Sequence, residues 1–191
     1  RTGEPFSGTV DPRSAGNGSI MRLAAVPLFY YPDEAQARHY AGKSSQTTHG
    51  AVTCGEACKL LSGILVRVLR GDSKDVALRE ETPSRFTSEE IQRIAQGSYR
   101  TKAAADIRGT GYVVSSLEAA LWCFWTTESF EQAILAAVNL GDDADTTAAI
   151  CGQVAGAFYG EVGIPAKWLD KLAMRADIVR MADQLNHGRG K

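Results

Sequence analysis

The sequence has no surplus of basic charge: 21 Lys and Arg stand against 22 Asp and Glu, for a formal net charge of -1. Nothing is left over to neutralise a polyanionic backbone, which argues against a nucleic-acid partner and leaves room for one small phosphorylated ligand. No run of about 18 apolar residues is present, and the opening Arg1 to Pro5 reads as neither leader nor membrane anchor. The expectation is a soluble, cytoplasmic protein with no membrane partner. The four cysteines, Cys54, Cys58, Cys123 and Cys151, lack C-x-x-C spacing and fall inside apolar helical patterns, so they read as buried thiols and not as a disulfide framework. Also missing are a G-x-S-x-G elbow, an H-E-x-x-H pair and a P-loop ending in G-K-[ST], which removes the usual protein nucleophiles and leaves metal-activated water as the natural hydrolytic chemistry.

What is present is a chain of 191 residues, 44% hydrophobic, enough for one globular domain over 1–191. Residues 1–19 are rich in Gly and Pro. Beyond them, apolar residues recur at helical spacing and no period-2 alternation is sustained, so the fold class is all-α. The spacing predicts helices over Ile20–Phe29, Pro32–Ser45, Gly50–Arg70, Ser88–Gln96, Tyr112–Thr126, Ser129–Leu140, Asp145–Gly160, Pro165–Ala173 and Ala176–Asn186. Ser88 and Ser129 supply cap hydroxyls, and Pro165 suits a first helical turn. Small residues at three- and four-residue spacing, Ala148, Gly152, Ala155 and Gly156 among them, predict a helix that neighbours approach closely, at the centre of a compact orthogonal bundle. Charges and Pro83 mark Gly71–Thr87 as a surface insertion.

Four short segments carry the chemistry. In Asn139–Thr147, three carboxylates and two hydroxyls stand in six residues just before an apolar helix, a donor density that suits a hard cation such as Mg²⁺, Mn²⁺ or Ca²⁺. Asp143, Asp145 and Thr146 are the natural ligands. The plainer alternative is that Asp142 or Asp145 caps the helix and the other acids are solvated. Ser14–Arg22 offers backbone amides at Gly16 and Gly18 followed by a helix start, an arrangement able to hold a diphosphate. A glycine turn before a helix is equally an ordinary structural feature. Gln46–Gly50 forms a polar elbow in which His49 either contacts a sugar or phosphate or caps a helix. In Arg108–Tyr112, Tyr112 either closes over a ligand with its hydroxyl in water or packs at a helix start. Asp11 is a candidate acid near the glycine loop.

Taken in order, SAGNGSIMR, TTHG, GTGYVVSSLEAALWCFW and NLGDDADTTAAICGQVAGAFYG resemble the ADP-ribosylglycohydrolase family, above all its bacterial members that release ADP-ribose from modified nitrogenase reductase. The resemblance covers the part of the family domain C-terminal to its first metal-binding segment, and its most specific element is D-x-D-T at Asp143–Thr146. It implies an all-α bundle holding two Mg²⁺ or Mn²⁺ ions, with Asp143 and Asp145 catalytic and, with Thr146, metal ligands. It further implies that Ser14, Gly16, Asn17, Gly18 and Ser19 hold diphosphate and ribose, that His49 contacts the nucleotide, and that Gly111 and Tyr112 flank the scissile end. The reaction implied is hydrolysis at C1″ of ADP-ribose attached to a protein side chain, arginine in preference, with the ribose hydroxyls gripped by metal and water as the attacking group. The family's threonine with paired aspartates, and its acidic residue near the scissile bond, have no counterpart here. Two expectations follow from that gap. Either a separate N-terminal fragment completes the metal site, as the loop-like start at Arg1 suggests, or the chain is a catalytically inactive ADP-ribose binder or a crystallin-like structural member of the fold. A calcium-stabilised helical domain without substrate is a further alternative, and nucleotide binding separates it from the others.

Overall fold

The computed structural model describes residues 3–187, and its regular structure is helical, with two isolated β-bridges between loops. The main helices are α1 (Ala25–Tyr30), α2 (Glu34–Gln46), α3 (Val52–Leu69), α4 (Lys74–Ala77), α5 (Glu89–Ala95), α6 (Val113–Trp125), α7 (Phe130–Val138), α8 (Ala144–Tyr159), α9 (Ala166–Leu169) and α10 (Arg175–His187). Local chemistry explains their starts. Asp33, Ser88 and Ser129 each accept a hydrogen bond from the backbone N–H three residues on, satisfying one of the amides a helix leaves bare at its N-terminus. Among the described residues no helix is long and apolar enough to cross a membrane.

α3 and α6 form the buried spine, presenting Leu60, Leu61, Ile64, Leu117, Leu121 and Phe124 to one continuous core. Burying each such side chain contributes roughly 1.5–3 kcal/mol. The small-residue helix α8 packs on this spine and on α7. A Cβ at Gly152 would lie 3.5 Å from Ile134 Cδ1, and one at Gly156 3.8 Å from a Phe130 ring carbon, so both positions sit at the α7 contact. All four cysteines are buried free thiols.

Three expectations need correction. The helix predicted from Ile20 is regular only from Ala25, after a 3-10 turn at Asn17–Ser19 and a run of turns. The Gln153 side-chain amide donates to the Ile20 and Met21 carbonyls at 2.9 and 3.0 Å, drawing to α8 groups that a continuous helix would use itself. Pro165 is the N-cap of α9 with extended ψ, and that helix ends at Leu169, short of Ala173. The segment predicted as a surface insertion, 71–87, is built into the body: Ala77, Leu78, Glu80 and Phe86 are buried, and Glu80 pairs with Arg38 of α2 at 2.6 Å. Its charges read as solvent-facing because a sequence does not show which of them meet opposite charges.

Candidate functional site

Two loops and one helix start converge. The glycine loop and the Gly109–Tyr112 loop pair as a short antiparallel bridge between Gly16 and Tyr112: Asn17 N–H donates to Gly111 O at 3.1 Å and Val113 N–H to Ala15 O at 3.0 Å. The second loop is tied to α8 by Asp143 N–H, which donates to Gly109 O at 2.9 Å. A Cβ at Gly109 would stand 2.5 Å from Thr147 Oγ1, so that loop reaches α8 only because the residue is glycine.

At the centre lies Asn17, 8% exposed. Its Nδ2 donates to Asp143 Oδ2 at 2.6 Å and to Ser116 Oγ at 2.8 Å, while Ser116 Oγ in turn donates to Thr110 O. The Asn17 bond is the main reason the Asp143 carboxyl is held below the usual carboxylate range; partial burial opposes it, and the Thr146 hydroxyl assists. Asp143 is the N-cap residue of α8 by position, yet its side chain makes no capping bond. Asp145 is exposed in the first turn and Thr146 is buried beside it. The preceding turn is left-handed at Gly141 (φ 77) and at Asp142 (φ 51), a conformation unusual for a residue with a side chain.

His49 approaches from the other side. Thr9 and His49 form a parallel bridge, with Gly50 N–H donating to Thr9 O at 2.9 Å. The imidazole lies along the glycine loop: a Cβ at Gly18 would be 2.9 Å from His49 Cε1, and one at Gly16 3.5 Å from Nε2. Nδ1 is 2.8 Å from Thr48 Oγ1, whose hydroxyl also accepts from Arg22 at 2.8 Å. Burial, and secondarily the Arg22 cation, push His49 below its ordinary value, so the ring is neutral at pH 7.

Several site expectations change in detail. The amides of Gly16 and Asn17 do not stand open, because Gly16 N–H donates to Ser14 O at 2.8 Å and Asn17 N–H to the partner loop. Ser14 is exposed and Ser19 is buried, with Cys58 Sγ donating to its hydroxyl at 3.5 Å. Tyr112 does not keep a freely solvated hydroxyl: it donates to Glu90 Oε2 at 2.6 Å, and burial together with Glu90 pushes its pKa up to about 12. Asp11 accepts from the Arg13 backbone and guanidinium, which holds it ionised and unsuited to giving a proton. Sequence reasoning missed Ser116, Gly109 and Glu90. The first two lie inside quoted motifs, whereas nothing local ties Glu90 to Tyr112.

The donor set suits a hard cation in kind, with two carboxylates and hydroxyl oxygens at one helix start and no sulfur or imidazole among them. Among the described residues, however, no group of three His, Cys, Asp or Glu side chains gathers as a metal site would need.

Residues 1–191 match the family model described as ADP-ribosylglycohydrolase. The chain is 40% identical over 185 residues to the ADP-ribosylarginine hydrolase Tri1 of Pseudomonas putida (strain GB-1), covering 97% of this chain and 49% of that protein. It is 32% identical to the ADP-ribosyl-[dinitrogen reductase] glycohydrolase of Rhodospirillum rubrum, with 90% of this chain and 57% of that one covered. A solved structure described as an ADP-ribosylglycohydrolase-related protein complex superposes with a TM-score of 0.87 at 34% identity, over 98% of this chain and 65% of that chain. The chain thus spans about half the length of the curated relatives it matches.

Proposed function

This chain belongs to the ADP-ribosylglycohydrolase family, and on that premise we propose that it carries part of the active site of an enzyme that hydrolyses the bond between ADP-ribose and a protein side chain, arginine in preference. The observation that supports it most is the 2.6 Å bond from Asn17 to Asp143, which joins the glycine loop to the D-x-D-T helix start. The arginine preference rests on the similarity to proteins named ADP-ribosylarginine hydrolase.

In this reading Asp143, Asp145 and Thr146 hold a divalent cation, Mg²⁺ or Mn²⁺, with further oxygen ligands from outside these residues. Once bound, the cation supplies charge stabilisation and positions water. Asn17 orients Asp143 and keeps it anionic, so the carboxylate accepts a cation without first losing a proton. Neutral His49, with Nδ1 engaged by Thr48, turns its Nε2 edge toward the glycine loop and can meet a sugar hydroxyl or a phosphate oxygen. Tyr112, anchored through Glu90, presents its ring beside Gly111 and so borders the scissile end of the ligand. Positioning of substrate and water, with no protein nucleophile, then lowers the barrier.

Titration calorimetry of the chain with ADP-ribose, with and without Mg²⁺ or Mn²⁺, tests this. Binding is expected to require the metal, to weaken at least tenfold in Asn17→Ala and to disappear in Asp143→Asn while helical circular dichroism is unchanged. Metal-independent binding, or undiminished binding by Asp143→Asn at saturating Mg²⁺, overturns the assignment. Release of ADP-ribose from ADP-ribosylarginine by the enzyme carrying this chain tests the acceptor.

A further inference from the structure

The His49 ring is held on its Nδ1 edge by a chain of two side chains. Arg22, the last residue of the Ser14–Arg22 segment, reaches the C-terminal end of α2, where its Nη2 donates to Thr48 Oγ1 at 2.8 Å. The same nitrogen makes longer contacts to Ser44 O at 3.3 Å and Thr47 Oγ1 at 3.4 Å. All three are uncharged oxygens, and the Thr48 contact is the shortest. Thr48 Oγ1 in turn lies 2.8 Å from His49 Nδ1.

The direction of that last bond decides which ring nitrogen carries the proton. A hydroxyl has one proton and two lone pairs. The Arg22 guanidinium occupies one lone pair, and drawing electron density toward a cation makes the Thr48 O–H a better donor and its oxygen a poorer acceptor for a second N–H. The nearby cation also favours a bare lone pair over an N–H on the edge that faces it. Thr48 therefore donates to Nδ1. A neutral imidazole carries one N–H, so the proton sits on Nε2. That nitrogen is the one a Cβ at Gly18 would meet at 3.1 Å and one at Gly16 at 3.5 Å. Burial, with the Arg22 cation second, keeps the ring neutral.

We propose that Arg22 and Thr48 are positioning residues that fix His49 as its Nε2–H tautomer, so that the ring serves the glycine loop as a neutral hydrogen-bond donor. The ligand group it meets is then an oxygen acceptor, a phosphate oxygen foremost, and His49 takes no proton from it. A general base at this position would need the opposite tautomer, with Nε2 bare. The identity of the acceptor rests on the function proposed above, whereas the tautomer does not.

Long-range proton–nitrogen NMR on the isotope-labelled, ligand-free chain reads the tautomer directly, at a pH where the ring is neutral and with His49 assigned from the His49→Gln spectrum. A bare Nδ1 and a protonated Nε2 are expected, retained in Thr48→Ser and replaced by a mixture of tautomers in Thr48→Val and in Arg22→Gln. Both side chains are exposed, and circular dichroism checks that the fold persists. Calorimetry with ADP-ribose and Mg²⁺ is expected to show affinity roughly three- to tenfold weaker in Thr48→Val, as loss of one ordinary hydrogen bond gives, and restored in Thr48→Ser. A protonated Nδ1 in the unaltered chain, or a tautomer unmoved by both Thr48→Val and Arg22→Gln, overturns the proposal. Undiminished affinity in Thr48→Val overturns its bearing on the ligand. If the unaltered chain binds no ADP-ribose, the glycohydrolase reading fails, and the ligand-free tautomer still decides the roles of Arg22 and Thr48.

Discussion

His49 shows how a single residue's surroundings set its chemistry. Its pKa is lowered by burial and by Arg22, so between that lowered value and the ordinary 6.5 the unfolded chain binds a proton that the folded chain does not. Stability is then full above pH 6.5 and declines as pH falls through that value toward the lower, folded one. An NMR titration of His49 is expected to give a midpoint below 6.5, and His49→Gln should flatten the dependence of Tm on pH just below 6.5. A midpoint above 6.5 contradicts the packing described. Residue types at this scale were legible in the sequence, since Asp143, Asp145, Asn17, His49 and Tyr112 all announced polar chemistry. Their partners were not, because a hydrogen bond from Tyr112 to Glu90 leaves no mark on either local pattern.

At the scale of elements, the site depends on backbones that touch. A Cβ at Gly8 would lie 2.4 Å from His49 N and 2.5 Å from the Thr48 carbonyl carbon, both backbone atoms that cannot swing aside. Gly8→Ala is therefore expected to part the Thr9–His49 bridge and to destabilise the chain by about 1–3 kcal/mol, read as a lower midpoint in urea together with shifted His49 ring signals. An unchanged midpoint would show that the loops give way freely. Caps and periodicity made most helices readable, because both act within a few residues. The Ile20 start was misjudged because Gln153, far along the chain, takes the carbonyls there.

At the scale of the whole molecule, α3, α6 and α8 share one apolar core, and Leu117, fully buried on α6, is one residue from Ser116 at the site. Leu117→Ala is expected to cost about 2–5 kcal/mol, measured by denaturant unfolding. A loss under 1 kcal/mol would mean that the core around the site collapses easily onto the space left behind.

The sequence alone was enough for the all-α class, for most helix starts and for the family, because helical periodicity, capping and motif spacing are properties of neighbours along the chain. Only the tertiary structure decided that Asn17 meets Asp143, 126 residues away, that Glu80 is buried, and that four arginines gather on two glutamates. Such contacts arise from the packing of helices that the core brings together, and no local pattern records which charges that packing sets side by side.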